Sequence, residues 1–180
     1  ARHRQQSGLD PSQRVQERAL SENPGIARLI LDMFRTKFDP AIAADVAARR
    51  RQAEAIMGEI LEALQQVESL DDDRVLRRMA QLVTATKRTN FYQFGEDGEP
   101  KPYISFKVAS SEVADLPAPK PFREIFVSAV EVEGVHLRFG PVARGGLRWS
   151  DRRDDFRTEV LGLVKAQQVK SAVIVPVGSK

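Results

Sequence analysis

Residues 103–140, "YISFKVASSEVADLPAPKPFREIFVSAVEVEGVHLRFG", decide the fold class of the chain. Aromatic and β-branched residues alternate with polar ones in "YISFKV" and "EIFVSAVEV", which is typical of half-buried strands. Turn residues in "EDGEPKP", just before this stretch, and in "DLPAPKP" separate the segments. The prolines of "DLPAPKP" favour a stiff, extended connection within the sheet. A sheet is therefore predicted in the second half of the chain.

The residues before this stretch have helical periodicity instead. "NPGIARLILDMFRTKF" predicts one helix, and a second is expected to begin with Asp39 as N-cap and Pro40 at its first position. A third begins at "DDD" (71–73), whose carboxylates favour the positive end of the helix dipole. The expected core stripes are Ile26, Leu29, Ile30, Met33, Phe34, Ile42, Val46, Ala53, Ile56, Ile60, Leu64, Val67, Val75, Met79, Leu82 and Val83.

After the sheet segments, Asp151 is expected to cap a helix that runs to about Lys170 and holds Asp154 and Asp155 in its first turn. Its buried face is expected to contain Phe156, Val160, Leu163 and Val164. The run "AVIV" (172–175) then suits a strand buried on both faces. These elements predict an α+β or α/β chain, in which a helical segment (1–90) precedes a mixed sheet with flanking helices (91–180).

Composition excludes several classes of function. The chain has 180 residues, of which 42% are hydrophobic, no cysteine and two histidines, so a metal site is not expected. No apolar run is long enough for a membrane span and no signal peptide is recognisable, so we expect a cytoplasmic protein. The net charge is only +3 and both signs are mixed along the chain, which disfavours nucleic-acid binding.

The chemistry is concentrated in "GPVARGGLRWSDRRDD" (140–155). Glycines let a ligand approach the backbone, and guanidinium groups supply forked donors for carboxylate or phosphate. The phosphate-binding spacings GxGxxG and GxxxxGK[ST] do not occur, so a carboxylate is the better match. Lys180 follows a buried strand and a glycine turn, and neighbouring cations would lower its pKa toward neutrality. Taken alone, a lysine at a strand end such as Lys180 is more often a solvated charge. Lys170, near a helix C-terminus, has an equally ordinary interpretation as a partner of the helix dipole.

Residues 142–180, "VARGGLRWSDRRDDFRTEVLGLVKAQQVKSAVIVPVGSK", closely resemble the substrate-domain core of the large NAD-specific glutamate dehydrogenases. "KPYISFKV", "DLPAPKPFREIFV" and "VEGVHLRFG" resemble the segments that precede it, whereas residues 40–90 are less diagnostic. The resemblance implies oxidative deamination of L-glutamate to 2-oxoglutarate and ammonia with NAD, in a homo-oligomeric enzyme. Residues 91–180 would form the N-terminal part of its substrate-binding domain.

The resemblance also assigns site residues. Arg144, before Gly145 and Gly146, stands where a lysine of the wider superfamily binds the side-chain carboxylate, so the charge is kept but the donor geometry changes. Lys170 matches the lysine that holds the α-carboxylate. Lys180 matches the catalytic lysine that activates water. Two cations would pair with the substrate carboxylates, and their proximity would lower the pKa of the third.

Two departures from the family pattern limit this assignment. Val177 replaces a glycine that usually precedes the catalytic lysine, and the spacing before it is shorter, so Lys165 is a rival to Lys170. The NAD-binding domain and a catalytic aspartate are absent from these residues, so the chain alone is expected to be inactive and to need the remainder of its parent polypeptide. The alternatives are a non-catalytic interaction module that uses the helix at residues 40–68, and salt-dependent nucleic-acid binding through the arginine loop.

Overall fold

The computed structural model describes residues 2–9, 12–42, 45–141 and 148–170. The chain forms two compact units: Asp10–Thr84, and Arg2–Leu9 together with Ala85–Lys180. The described elements, in chain order, are α1 (Arg2–Gln6), α2 (Gln13–Glu22), α3 (Pro24–Phe38), α4 (Val46–Leu64), α5 (Leu70–Ala85), β1 (Thr86–Thr89), β2 (Tyr103–Val108), a 3-10 turn (Ser110–Glu112), β3 (Arg123–Ala129), β4 (Glu133–Arg138) and α6 (Phe156–Lys170). No helix among these is both long enough and apolar enough to cross a membrane.

The first unit is a helical bundle with an apolar interior. The periodic positions of α3, α4 and α5 meet in one cluster, since period-3.6 stripes bury best against one another. Its buried members are Ala19, Ile26, Ile30, Met33, Ala53, Ile60, Leu64, Val75, Leu76 and Ala80. Most of the predicted core stripe is therefore confirmed, as are the start of α3 at Pro24 and the start of α5 within one residue of the acidic triplet.

The predicted start of α4 at Asp39 and Pro40 is wrong. Asp39 ends the preceding helix instead, because its N–H donates to the carbonyl of Arg35 at 2.8 Å and its carboxylate then accepts from the Ala41 N–H at 2.9 Å. Asp45 is the actual N-cap and accepts from the amides of Ala47 and Ala48. Consequently the first two residues of the expected stripe are exposed: Ile42 by 41% and Val46 by 69%.

The second unit contains a four-stranded sheet in the order β1-β2-β3-β4, with every neighbouring pair antiparallel. The strands predicted from "YISFKV" and "EIFVSAVEV" are confirmed as β2 and β3. Strand β1 was not predicted, because "TKRT" has no apolar alternation. The predicted "AVIV" strand lies outside the described residues, so the mixed character of the sheet stays a prediction.

Helix α6 is described from Phe156 to Lys170 and begins later than expected. Asp151 does not cap it: its carboxylate accepts from the Trp149 indole N–H at 3.0 Å in a preceding turn. Asp154 and Asp155 precede the helix. The buried face is also turned, because Arg157, Leu161 and Val164 are buried, whereas Leu163, which was predicted to be inside, is 46% exposed. The partner that draws Arg157 inward explains this rotation, as described below.

Candidate functional site

The structure places few of the predicted site residues. Arg144, Gly145, Gly146 and Lys180 lie outside the described residues. Lys170 is the last residue of α6, and nothing is described of its side chain. Their roles therefore stay predictions. The described elements that flank the arginine-glycine sequence along the chain are β4 before it, and residues 148–155 and α6 after it.

Two of the arginines that follow the glycines lie close to the partly buried Glu159 of α6. Arg148 Nε lies 3.7 Å from Glu159 Oε2, and Arg152 Nε lies 3.5 Å from Glu159 Oε1. Arg152 also lies 3.8 Å from Asp155. The Arg148 and Arg152 side chains are more than half exposed, so each pair adds little stability. Their arrangement agrees with a charged, solvated helix start.

A buried ionic cluster connects β3 to α6. Arg157 donates from Nε to Glu124 Oε1 at 2.7 Å and from Nη2 to Glu124 Oε2 at 2.8 Å, which is the two-bond geometry that a guanidinium forms best with a carboxylate. Both side chains are 1% exposed. His3 of α1 places Nε2 2.8 Å from Glu124 Oε1. One carboxylate thus joins three elements of the unit: α1, β3 and α6.

This cluster keeps its charge. Burial alone would raise the pKa of the Glu124 carboxyl, but hydrogen bonds from Arg157 and His3 outweigh burial and lower that pKa from 4.5 to about 2. An ionised carboxylate only accepts hydrogen bonds, so His3 Nε2 carries the proton that it donates. Because Glu124 is fully engaged and strongly acidic, it does not suit the role of a general base near neutral pH.

Aromatic packing adjoins the cluster at His3. The Phe126 ring packs edge-on against the His3 ring at a centroid distance of 5.5 Å and lies parallel to the Phe156 ring at 6.4 Å. Phe126 and Glu124 are two residues apart in β3, so their side chains share one face. Because both side chains of the Glu124–Arg157 pair are 1% exposed, water screens their electrostatic attraction only weakly.

Further contacts join α1 to the residues that begin α6. Gln6 Oε1 accepts from the Arg157 amide at 3.1 Å, while Gln6 Nε2 donates to the Arg153 carbonyl at 2.5 Å. Arg2 donates to the same carbonyl at 2.7 Å and pairs with Glu133 of β4 at 2.6 Å. The hydrogen bond from Arg2 is the main reason that the pKa of the Glu133 carboxyl is lowered.

None of His3, Glu124 and Arg157 was predicted from the sequence to be a site residue. One signal for the buried carboxylate was present in the sequence. Glu124 and Phe126 are two positions apart in a predicted strand, so their side chains must lie on the same face of the sheet. A buried carboxylate requires a buried cation, but the sequence does not say which of its 28 basic residues supplies it. Within the described ranges, no group of three His, Asp or Glu side chains is arranged to hold a metal ion.

The fold defines the class of this chain: a mixed α/β protein whose second unit holds an antiparallel sheet joined to α6 by a buried ion pair and to α1 by a buried hydrogen bond and a partly exposed ion pair. The family model described as bacterial NAD-glutamate dehydrogenase, catalytic domain, matches residues 59–180, and the chain belongs to this family. A second model, glutamate dehydrogenase helical motif 3, matches residues 1–40. The resemblance drawn from the sequence is therefore confirmed.

Curated relatives agree with this assignment. The chain is 51% identical over 180 residues to the NAD-specific glutamate dehydrogenase of Halomonas elongata, which matches 100% of the chain. It is 54% identical to the protein of that name from Pseudomonas aeruginosa over 90% of the chain, and 48% identical to that from Mycobacterium tuberculosis over 100%. The chain spans only 10–11% of the length of these relatives.

Proposed function

We propose that the chain is part of an NAD-dependent glutamate dehydrogenase, to which it contributes the dicarboxylate-binding loop and the catalytic lysine. The observation that carries the proposal is the catalytic-domain match over residues 59–180, which includes all five predicted site residues. The relatives of that name, at about half identity, give it further support. The parent enzyme would convert L-glutamate to 2-oxoglutarate and ammonia.

In this proposal the residues of the chain bind the substrate and activate water. Arg144 pairs with the side-chain carboxylate and the amides of Gly145 and Gly146 line the approach. Lys170 pairs with the α-carboxylate. The Lys180 amine, flanked by these cations, takes a proton from the water that attacks the substrate imine.

Hydride acceptance belongs to NAD, and the described residues do not fit that cofactor. No dinucleotide fingerprint occurs in the sequence, and the described strands form an antiparallel sheet without the parallel strand-helix-strand unit that holds a pyrophosphate. We therefore place the NAD site in a part of the parent protein outside this chain.

Lysine substitutions in the full-length parent protein test the proposal. Lys180→Ala is expected to lower kcat by at least about a thousandfold while leaving the KM for NAD nearly unchanged, since it removes a group that acts on the reacting atoms. Lys170→Ala is expected to raise the KM for glutamate. Lys165→Ala tests the rival position, an exposed lysine of the same helix, and should leave the KM for glutamate nearly unchanged if Lys170 holds the α-carboxylate.

Three outcomes would contradict the proposal. Absence of glutamate-dependent NAD reduction by the wild-type parent protein would remove the function itself. Full turnover by Lys180→Ala would remove the catalytic role of that lysine. A larger loss of glutamate affinity in Lys165→Ala than in Lys170→Ala would transfer the α-carboxylate contact to the rival position.

Against the alternative of an interaction module, the apolar stripe of α4 packs within its own unit: Ala53, Ile60 and Leu64 are buried in the helical core. No described feature specifically favours that alternative. A glutamate titration of the parent protein, followed by exchange protection of residues 144–148 and 170–180, distinguishes the two functions. Protection at these residues supports a substrate site, and its absence favours a scaffold.

A further inference from the structure

Helix α1 is short and lies in the sequence of the helical motif, yet it belongs to the sheet unit. The model of that motif matches residues 1–40, whereas Arg2–Leu9 group with the residues from Ala85 onward. Polar side chains of this segment are buried to a degree unusual for their type: His3 is 8% exposed, Gln6 2% and Ser7 2%. Such burial is stable only when the polar groups have specific partners.

The partners of these side chains concentrate on the start of α6. Gln6 contacts two backbone groups at the start of α6: the Arg153 carbonyl just before the helix and the Arg157 amide in its first turn. The first amides of a helix have no partner within the helix, so Gln6 supplies the acceptor that an N-cap side chain would otherwise provide. Arg2 contacts the Arg153 carbonyl as well and lies 3.3 Å from the Asp154 carboxylate.

The same short helix is fixed to the sheet on its other side. His3 contacts Glu124 in β3, and Arg2 contacts Glu133 in β4. Glu124 in turn holds Arg157 through two hydrogen bonds. Position and direction of α6 are therefore set by α1 and the sheet together, at the first residues of the helix.

The start of α6 determines where its other end lies. The helix has 15 residues and ends at Lys170. At about 1.5 Å per residue it is about 22 Å long, so a tilt of about 5° at its start moves its end by about 2 Å. A misplacement of about 1 Å is enough to lower the efficiency of an active site severely. Arg153 also follows Gly146 by only seven residues along the sequence.

We infer that α1 is a positioning element of the substrate site, and that Gln6 and Arg2 are its positioning residues for α6. The inference rests on the proposed function, since it acts through Lys170 at the far end of α6. Gln6 and Arg2 touch neither substrate nor cofactor in this proposal. Their contribution is to hold the helix start in one orientation before glutamate arrives, which lowers the cost of ordering the site on binding.

Gln6→Ala in the full-length parent enzyme tests the inference. We expect the KM for glutamate to rise on the order of tenfold, corresponding to the loss of one or two buried hydrogen bonds. The KM for NAD should stay within about twofold of wild type, because NAD is bound elsewhere. A merely structural role would lower the melting temperature and the folded fraction but would not change the KM for glutamate selectively.

A second variant and two controls keep the test decisive. Arg2→Ala removes a partly exposed side chain and should raise the KM for glutamate about threefold even if Gln6→Ala fails to fold. Gln13→Ala and Arg28→Ala are the matched controls: each removes the same side-chain type from an exposed helical contact in the first unit. Both controls should leave the KM values unchanged.

The outcomes separate the two proposals. A wild-type parent enzyme that does not oxidise glutamate overturns the proposed function, and the positioning role with it. An active wild-type enzyme whose Gln6→Ala and Arg2→Ala variants keep the KM for glutamate within about twofold overturns only the positioning role. Equal increases in the KM for glutamate and for NAD also overturn it, since α6 would then not act through the glutamate site.

Discussion

The two units bury their interiors in different ways. In the helical unit, the apolar stripes of α3, α4 and α5 form one continuous cluster, and the buried Asp72 pairs with Arg18, whose side chain is 54% exposed. In the sheet unit, the Glu124 carboxylate and the Arg157 guanidinium are both withdrawn from water. Apolar packing tolerates a change of partner, whereas a buried ion pair does not, because either charge left alone is costly.

The interior of a protein can stabilise the fold, and it can also fix the direction of individual side chains. The two units differ in the second respect. An apolar cluster stabilises a fold without fixing each side chain to one direction. A carboxylate that accepts from Arg157 and His3 fixes both partners by direction as well as by distance. The unit predicted to carry the substrate site therefore has the more directional interior, as expected where a helix end must be placed to within about 1 Å.

The largest expected effect comes from Glu124→Ala, which leaves the buried Arg157 charge without its partner. It should lower the free energy of opening around β3 by about 3–5 kcal/mol. Hydrogen–deuterium exchange of β3 and α6 peptides in the full-length parent protein measures this change. Glu133→Ala, which removes a partner of the partly exposed Arg2, is the control and should cost about 1 kcal/mol. Similar costs for the two variants would contradict the buried character of the cluster.

In the helical unit, Ile60→Ala should lower the opening free energy of α3 and α4 by about 2–5 kcal/mol, because it leaves a cavity in a packed core. Ile60 is 0% exposed, whereas the adjacent Leu61 is 39% exposed. Leu61→Ala is thus the matched control, with an expected cost below about 1 kcal/mol. The same exchange experiment measures both, and an equal effect at the two positions would disprove the assigned orientation of α4.

Acid should affect the sheet unit through Glu124. Its pKa is lowered on folding from 4.5 to about 2, so its stabilising contribution is complete above about pH 4.5 and is lost as the pH falls toward 2. At pH 3 the loss is on the order of 2 kcal/mol. Exchange rates of β3 amides, corrected for intrinsic rates, should show it. Glu124→Gln should remove this part of the pH dependence, and an unchanged acid profile in that variant would contradict the assignment.

Local signals predicted most elements, and their failures have identifiable causes. Period-2 alternation found β2 and β3, and period-3.6 stripes found α3 and α5. The start of α4 was misplaced because Asp39-Pro40 has the stronger capping signature, although Asp39 already ends α3. Asp39 could either end α3 or cap α4, and the sequence pattern alone does not distinguish these two roles.

In the candidate site, too, some residues were predicted from the sequence and others were not. The sequence resemblance predicted Arg144, Gly145, Gly146, Lys170 and Lys180, and the family assignment on which they rest is confirmed. The supporting residues were not predicted. His3 and Glu124 are 121 positions apart, and Glu124 and Arg157 are 33 apart, so no local period connects them.

The sequence by itself determined the family, the class of substrate that the chain is proposed to bind, and the apolar stripes of the helical unit, because these depend on residue identity and local spacing. Tertiary structure alone decided which face of α6 is buried and which cation neutralises Glu124. The physical reason is that a buried charge must find its partner in space. Only the folded chain brings α1, β3 and α6 to the same carboxylate.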